Sequence, residues 1–338
     1  MYTKKRNIIV VTGGSGFIGT NLVEFYRLRD DCEVFNLDCK KPLNPLHTKF
    51  WIYTDILDKD QLENNILNIN PTHVIHLAAR TDLDGHTIQD YSTNVDGVDN
   101  LLQSIRNLKN LKRVGFASTR LVCRIGYNPI DEFDVCPSTF YGMSKVAGET
   151  LVREKIDNFC EYFIFRPTSI WGEWFDVPYR NFFENIYKGR YLHPKGFKIF
   201  KSFGYVGNSV YQIDKLLFAD AGSVVGKTFY LCDYDPIELK EWGNVIAEHM
   251  KKKDISEVPY LALRFFATIG DLFKTLGMKN PPLTSFRLNN LITNMTYETE
   301  QLRTVCGDLP FSLRDSVRRT VLWMEQCREH SHHERNSK

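Results

Sequence analysis

Two side chains that could move a proton lie one helical turn apart near the middle of the chain. Tyr141 and Lys145 are four residues apart in a segment with helical periodicity, which places the phenol and the ammonium on one face. Because a nearby ammonium favours the phenolate, we expect the pKa of Tyr141 to fall from about 10 toward neutrality. Such a tyrosine can exchange a proton with an alcohol or ketone oxygen.

Two hydroxyl side chains precede this pair along the sequence. Ser118 and Thr119 stand at the end of a β-rich run. A hydroxyl at the end of a strand could bind the same substrate oxygen that the tyrosine serves. We predict that Thr119 has this role, with Ser118 as the alternative.

A glycine-rich segment near the N-terminus is typical of a phosphate-binding turn. It runs from Thr12 to Gly19, follows a β-rich run and opens a helical pattern, which begins with Phe17 and Ile18. Its glycines would permit a tight turn, a close approach of backbone amides to a pyrophosphate and close packing of helix on strand; they are Gly13, Gly16 and Gly19. The anion would lie at the helix N-terminus, where free N–H groups favour negative charge.

An acidic residue at the end of the second β-rich run supports a dinucleotide site. Asp38 follows the glycine turn at about the 20-residue distance expected for a carboxylate that binds the adenosine ribose. A carboxylate there repels a 2′-phosphate, so we predict NAD rather than NADP. Lys40 and Lys41 lie close by and could weaken that repulsion.

The pattern of the first half predicts an α/β fold, a doubly wound parallel sheet of the Rossmann type. Strands are expected at 7–12, 33–38, 50–54, 73–78, 112–118 and 160–166, and helices at 17–29, 59–69, 91–108 and 141–156. Further helices are expected at 238–252, 261–275 and 313–328. We predict a cofactor-binding domain over 1–166 and a smaller C-terminal substrate-binding lobe over 167–330, with some segments returning to the first domain. Residues 331–338 would form a frayed tail.

Composition narrows the class of protein. The 338 residues carry 43 Lys and Arg against 41 Asp and Glu, so a net charge of +2 gives no reason to expect a nucleic-acid partner. No membrane span or export signal is evident, and the eight cysteines lack metal-ligand spacing, so we expect a cytoplasmic chain with free thiols and no metal. The apolar stretch 261–276 could be a partner or lipid surface, although a buried helix is the favoured interpretation.

In combination, these motifs resemble the ordered motifs of the extended short-chain dehydrogenase/reductase family, specifically its NAD-dependent epimerases and dehydratases. The residues that carry the resemblance are the turn Thr12–Gly19, Asp38, Asp55 and Ile56, the run His76, Leu77, Ala78 and Ala79, Asn94 and Val95, Ser118 and Thr119, Tyr141 and Lys145, and Arg166 and Pro167. The resemblance implies a nicotinamide cofactor and, often, a nucleotide-sugar substrate.

The resemblance also implies roles for individual residues. Asp55 and Ile56 would meet the adenine, Ala78 and Ala79 would line the cofactor channel, and Lys145 would also hold the nicotinamide ribose. Further cofactor contacts are expected from Leu77, Asn94 and Pro167. Family members commonly form homodimers through two helices, which here would be those around 91–108 and 141–157.

Departures from the family pattern bear on the reaction and the substrate. Thr119 is followed by Arg120 and Leu121 instead of the acidic pair of dehydratases, which disfavours elimination of water. Asn208 stands about where relatives that hold a sugar diphosphate tend to have an arginine, so its contact with substrate is only tentative. The positive charge that an arginine supplies in those relatives could come here from Lys195, Lys198 and Lys201. Alternatively, these lysines could be solvated surface residues. Arg80 follows the fourth strand and is a second tentative substrate contact.

The leading hypothesis is an NAD-dependent nucleotide-sugar epimerase that works through a transient keto-sugar, with polysaccharide precursor synthesis as the pathway. The runner-up is an NAD(P)H-dependent 4-keto-sugar reductase, which would use the same residues in one direction. A hydroxysteroid-dehydrogenase-like enzyme is a third reading, since the aromatic-rich C-terminal half would suit an apolar alcohol. A non-catalytic NAD-sensing regulator is disfavoured because the tyrosine and lysine are both present.

Overall fold

The computed structural model describes residues 6–156, 159–278, 281 and 283–336. Strands and helices alternate through the first half of the chain. They are β1 (Asn7–Thr12), α1 (Phe17–Arg27), β2 (Cys32–Asp38), β3 (Trp51–Tyr53), α2 (Lys59–Ile69), β4 (His73–His76), α3 (Ser92–Ile105), β5 (Arg113–Ala117), α4 (Phe140–Lys155) and β6 (Glu161–Pro167).

The second half contains shorter strands and further helices. They are β7 (Ser169–Trp171), α5 (Tyr179–Tyr187), β8 (Leu192–Pro194), β9 (Phe200–Lys201), β10 (Phe203–Tyr205), α6 (Val206–Phe218), α7 (Ala221–Val224), β11 (Thr228–Leu231), β12 (Ile237–Glu238), α8 (Leu239–His249), β13 (Ser256–Val258), α9 (Tyr260–Thr275), α10 (Ser285–Ile292), α11 (Glu300–Cys306) and α12 (Leu313–Asn336).

Seven parallel strands form the central sheet in the order β11-β6-β5-β4-β1-β2-β3. The chain proceeds from β1 outward through β2 to β3, then returns to the other side of β1 for β4. The strand order therefore reverses between β1 and β4, and ligands bind doubly wound sheets at the carboxyl ends of such strands. The sheet confirms the predicted Rossmann fold.

All six predicted strands of the first half are present, with bounds that differ from prediction by at most two residues. The seventh, β11, pairs with β6 in parallel register and was not predicted. It is a run of only four residues, too short for its alternation to indicate a strand, so its strand state depends on the neighbour it meets. The last helix, α12, is described as far as Asn336. The predicted frayed tail over 331–338 stays a prediction, and residues 337 and 338 lie outside the described part.

The chain divides into two compact units. One contains the residues up to 170 together with 204–234 and 298–310, and the other contains 171–203, 235–297 and the residues from 311 on. In the first unit, α2, α3 and α4 cover one face of the sheet, and their buried side chains include Leu62, Ile66, Val98, Leu101, Ile105 and Val152. The domain boundary proposed at residue 166 stays a prediction.

Aromatic side chains fill the core of the second unit. Trp171 packs against Phe183 and Trp242, with ring centroids 5.6 and 5.3 Å apart, and Phe182 stacks on Trp242 at 4.7 Å. Trp171 and Phe183 are fully buried. These rings therefore stabilise the unit by packing on one another.

Candidate active site

The glycine turn connects β1 to α1 at the switch point of the sheet. Gly13 has a φ of +72°, and a Cβ atom there would lie 2.6 Å from the backbone nitrogen of Ala78. A Cβ at Gly19 would collide with the carbonyl oxygen of Gly13. Both positions therefore require glycine, which is the geometric reason for the sequence motif.

The N-terminus of α1 is open toward the end of the sheet. Gly16 is its N-cap residue and offers no side chain to cap the first turn. Its own N–H donates to the carbonyl oxygen of Gly13 at 3.1 Å, which holds the turn tight. An uncapped helix start beside a tight glycine turn fits a dinucleotide pyrophosphate, since helix-end amides bind anions. Phe17 and Ile18, predicted to contact the cofactor, form this first turn.

Asp38 lies at the end of β2, beside the glycine turn. Its two carboxylate oxygens accept backbone hydrogen bonds, Oδ2 from Ser15 at 3.0 Å and Oδ1 from Lys40 at 2.8 Å. Burial raises the pKa of Asp38, and the two backbone donors partly oppose that shift. The carboxylate is thus oriented at the position where the sequence predicts a ribose contact.

Two further side chains hold Ser15 in place, and neither was singled out from the sequence. The Asn36 amide donates to Ser15 Oγ at 3.0 Å, and Ser15 Oγ donates to the carbonyl of Lys40 at 2.8 Å. A Cβ at Gly14 would collide with the Asn36 side chain. The turn and the end of β2 are therefore built as one hydrogen-bonded unit.

The end of β4 is tied to β1 by a buried histidine. Thr12 Oγ1 and His76 Nδ1 are 2.7 Å apart, and the backbone N–H of Leu77 donates to the carbonyl of Thr12 at 2.9 Å. Burial lowers the pKa of His76 to about 3, so the imidazole stays neutral. Leu77, Ala78 and Ala79 follow β4 at the carboxyl end of the sheet, and their predicted contacts with the cofactor stay predictions.

Asn94 joins three segments of the site. Its Oδ1 accepts from the Arg80 backbone N–H at 2.8 Å, and its Nδ2 donates to the Arg80 carbonyl and to Ser144 Oγ at 3.0 and 2.9 Å. The Asn94 side chain is fully buried. It therefore fixes the loop after β4 against α3 and α4; its predicted cofactor contact stays a prediction.

Tyr141 lies in the first turn of α4, which is capped by Thr139. The phenol is 7% exposed, and burial raises the pKa of Tyr141 to about 12, although a hydrogen bond with Thr119 acts in the opposite direction. The expectation of a pKa lowered toward neutrality is therefore wrong for this structure, because the loss of hydration outweighs the local hydrogen bond. Tyr141 and Thr119 are thus close enough to interact, and their predicted joint contact with a substrate oxygen stays a prediction.

Lys145 lies one turn further along α4 and is 5% exposed. Its Nζ donates to the carbonyl oxygen of Ala117 at 2.8 Å. Burial lowers the pKa of Lys145 to about 8, while the charge of Glu149 opposes that shift. Lys145 lines a small cavity of about 10 Å³ whose walls combine polar side chains, such as Asn94 and Glu149, with apolar ones, such as Val98 and Phe116.

Glu149 lies one turn beyond Lys145 on the same face of α4. It was not predicted from the sequence, although its spacing of four residues from Lys145 indicates a shared helix face. Arg166 Nε and Nη2 donate to its two carboxylate oxygens at 2.9 and 2.7 Å. Burial alone raises the pKa of Glu149, but the hydrogen bonds and the charge of Arg166 outweigh burial, and the net shift is downward. A bidentate pair of this kind keeps the carboxylate ionised behind Lys145.

The other predicted cofactor residues follow the carboxyl ends of strands. Asp55 Oδ1 accepts from the backbone of Leu57 at 2.9 Å, and Ile56 packs on Gly97 of α3, where a Cβ would lie 2.9 Å from it. Pro167 is the last residue of β6. Their contacts with adenine or nicotinamide stay predictions.

The two tentative substrate residues are both held by acidic side chains. Arg80 Nε and Nη2 donate to the carboxylate of Asp82 at 2.9 and 3.0 Å. Asn208, in the first turn of α6, donates from Nδ2 to Asp233 Oδ1 at 2.9 Å. Burial raises the pKa of Asp233 to about 7. A carboxylate thus sits at the helix start where the sequence suggested a diphosphate contact.

Two of the three candidate lysines are exposed, but Lys201 is buried. Its Nζ donates to the carbonyl oxygens of Asn290 and Thr293 at 2.9 and 2.8 Å. Lys201 is therefore neither a solvated surface residue nor a free charge for a diphosphate; it caps the end of α10.

Comparisons with known proteins show the family of the chain. The NAD dependent epimerase/dehydratase family model matches residues 9–191, more than half of the chain. An N-acetyl-alpha-D-glucosaminyl-diphospho-ditrans,octacis-undecaprenol 4-epimerase of Escherichia coli O157:H7 is 24% identical over 319 residues, which is 93% of this chain and 94% of the relative. A 3 beta-hydroxysteroid dehydrogenase/Delta 5-->4-isomerase of Mycobacterium tuberculosis is 26% identical over 258 residues, 71% of this chain and 68% of the relative.

A solved structure has the same fold. The UDP-glucuronic acid 4-epimerase from Bacillus cereus, in complex with NAD, superposes with a TM-score of 0.71 at 17% identity and covers 95% of this chain and 99% of its own. The chain belongs to the NAD-dependent epimerase/dehydratase family. It is an NAD-dependent enzyme of the extended short-chain dehydrogenase/reductase type, which confirms the predicted cofactor. Within the described residues, no helix is long and apolar enough to cross a membrane.

Proposed function

We propose that the protein is an epimerase of nucleotide sugars that inverts one carbon through a transient keto-sugar. The observation that carries the proposal is the cluster of Tyr141, Thr119 and Lys145 at the carboxyl edge of the sheet, in the same unit as the glycine turn. The names of two relatives, both 4-epimerases of diphosphate-linked sugars, support this choice.

Tyr141 would exchange the proton of the sugar hydroxyl, and Thr119 would orient the same oxygen. A pKa of about 12 keeps the phenol protonated in the structure described here, so proton removal requires positive charge nearby. Lys145, one turn further along α4, would be the source of that charge in the proposal, since a pKa of about 8 leaves the amine largely protonated at neutral pH. The glycine turn and Asp38 would hold NAD, which would supply reversible hydride transfer at the sugar carbon, with return to the opposite face giving the inverted product.

Epimerisation is favoured over loss of water by the residues after Thr119. Arg120 and Leu121 follow it in a short 3-10 turn, and neither is the acid or base that elimination needs. The eight free cysteines agree with a reducing compartment, and we extend the proposal to the cytoplasm and to a homodimer formed through α3 and α4.

A second candidate is a dehydrogenase of an apolar alcohol, as the name of the mycobacterial relative suggests. The specific observation in its favour is Asp233. Its carboxylate accepts from Asn208 at the start of α6, where it would repel a diphosphate when ionised. An apolar alcohol has no charge to be repelled.

The test is incubation of the purified enzyme with UDP, GDP and CDP sugars without added cofactor, with products followed by NMR. The proposal expects an equilibrium mixture of two epimers. Tyr141→Phe should lower turnover about 1,000-fold, while the exposed Tyr53→Phe should leave it unchanged. Stoichiometric NAD(P)H consumption would instead identify a reductase, and oxidation of an apolar alcohol without any sugar turnover would identify the second candidate.

A further inference from the structure

Helix α9 carries a second apolar face that the rest of its unit leaves uncovered. Its packed face consists of Leu263, Ala267 and Gly270, which contact α10. Large apolar side chains point the other way, and the expectation of a plain buried helix is wrong for them. They are Leu261, Phe265, Phe266, Leu272, Phe273 and Leu276. Both faces are apolar, so periodicity alone could not show which one is covered.

The exposed face is continuous. At about 100° per residue, these six side chains fall within an arc of about 140° on the side of α9 away from its packed residues. Leu261 is 75% exposed, Phe265 63% and Leu276 73%. Phe286, on α10, is also exposed. Soluble monomers rarely show a contiguous apolar patch of this kind, which marks an interaction surface.

Basic residues border this face. Arg264 is exposed on α9 about 60° beyond one edge of the arc, and Arg287 is exposed on α10, whereas the exposed Lys274 falls on the side of α9 that carries the packed residues. Near the start of α9, the backbone N–H of Lys195 donates to the Val258 carbonyl at 2.8 Å. The ring of Phe197, next to the exposed Lys198, lies 5.0 Å from the Tyr260 ring. Basic groups are thus in excess near the apolar arc, with Glu257 and Asp271 as acidic neighbours.

The segment that contains α9 and α10 has a net positive charge. Residues 251–292 contain seven Lys and Arg against three Asp and Glu, although the complete chain carries only +2. The carboxylate of Asp271, on α9, lies 3.2 Å from the Ser285 backbone N–H. Positive charge is therefore concentrated on this part of the chain.

This charge decides between two occupants of the face. A symmetric dimer would bring the same patch of two copies together, and its basic residues would repel each other. An anionic lipid surface would attract them while accepting the apolar side chains. With 16 residues, α9 is about 24 Å long, which suits a helix lying in the interface.

We propose that the face formed by α9 and α10 docks the protein on an anionic lipid bilayer, with the arc from Leu261 to Leu276 inserted at the headgroup boundary. This goes beyond the proposed function and does not rest on it. The contact is peripheral and depends on both apolar burial and charge.

The test is flotation of the full chain with vesicles of phosphatidylcholine, with and without about 30% phosphatidylglycerol. The wild type should float with the anionic vesicles, and its bound fraction should fall about tenfold on neutral ones. Phe265→Ser/Leu272→Ser and, separately, Arg264→Glu/Arg287→Glu should each lower binding to anionic vesicles about tenfold. The matched control is Ile130→Ser, which removes a side chain that is 89% exposed in the other unit and should not change binding.

Circular dichroism melting checks that each variant folds. If a double variant does not fold, the single variant Leu261→Ser replaces it in the binding experiment. Absence of wild-type binding to anionic vesicles overturns the proposal, as does equal loss in the Ile130→Ser control. Sedimentation velocity without lipid tests whether a second copy of the chain binds this face. A wild-type dimer that is lost in the variant Phe265→Ser/Leu272→Ser would assign the face to a second copy and overturn lipid docking.

Discussion

The ammonium of Lys145 is hydrogen-bonded to the carbonyl oxygen of Ala117 at 2.8 Å, so α4 is attached to the end of β5 directly behind Tyr141. Glu149 lies one turn beyond Lys145 and is paired with Arg166. The proton-transfer groups thus stand on a stripe of α4 whose charges are buried. Buried charge costs stability, and that cost makes the arrangement testable without substrate.

Lys145→Met should stabilise the cofactor-free protein by about 1–2 kcal/mol at neutral pH while removing activity. The folded pKa of about 8 is below the ordinary 10.5, so below pH 8 the lysine is charged in both states and its desolvation cost is complete. The cost declines as pH rises from about 8 to 10.5, and the advantage of the variant should decline with it. Urea unfolding at several pH values measures this. The exposed Lys109→Met is the control, and a less stable Lys145→Met at neutral pH would contradict the prediction.

Glu149→Gln should destabilise the protein by about 3–5 kcal/mol, because the fully buried Arg166 loses its counter-charge. The lowered pKa of Glu149 means that its contribution is present above the ordinary value of 4.5 and is lost as pH falls through the folded pKa. Chemical unfolding should therefore show a smaller difference between wild type and variant in acid. Asp31→Asn, which breaks an exposed pair with Arg29, should cost below about 1 kcal/mol. Equal losses of stability in the two variants would show that the buried pair of Glu149 with Arg166 contributes no more than the exposed pair.

Asp38→Ala should weaken NAD binding by about 10- to 100-fold and reduce the preference over NADP, since the carboxylate that faces the ribose is removed. Calorimetry with both dinucleotides measures the two affinities. Asp30→Ala, at an exposed position before β2, should change neither affinity. Tighter NADP binding than NAD binding by the wild type would show that Asp38 does not select the cofactor.

Asp233→Asn should stabilise the protein at about pH 8, by about 1–2 kcal/mol, and have little effect near pH 4. The folded pKa of about 7 exceeds the ordinary 3.8, so the folded state retains a proton that the unfolded state loses as pH rises between these values. The free energy of unfolding of the wild type therefore falls as pH rises from 3.8 to about 7, whereas that of the variant should not show this fall. Thermal melts across this range test the sign, with the exposed Asp235→Asn as control. A variant less stable at pH 8 would mean that the charge favours the start of α6.

Much of the fold could be predicted because it depends on local pattern. The bounds of α2, at Lys59–Ile69, match the periodic segment, and β1 ends where the glycines begin. By contrast, β11 joins the sheet only through its pairing with β6, which lies about 60 residues earlier, and no local pattern of four residues predicts that neighbour.

For the site, the sequence by itself determined which groups share a face, because the spacing of Tyr141 and Lys145 is a property of one helix. It also determined the glycine turn, since Gly13 needs a positive φ and close backbone contact. Only the tertiary structure decided the protonation of these groups: burial by distant segments raises the pKa of Tyr141 and lowers that of Lys145. It also decided which apolar face of α9 is covered, because dehydration and packing depend on neighbours that are remote in the chain.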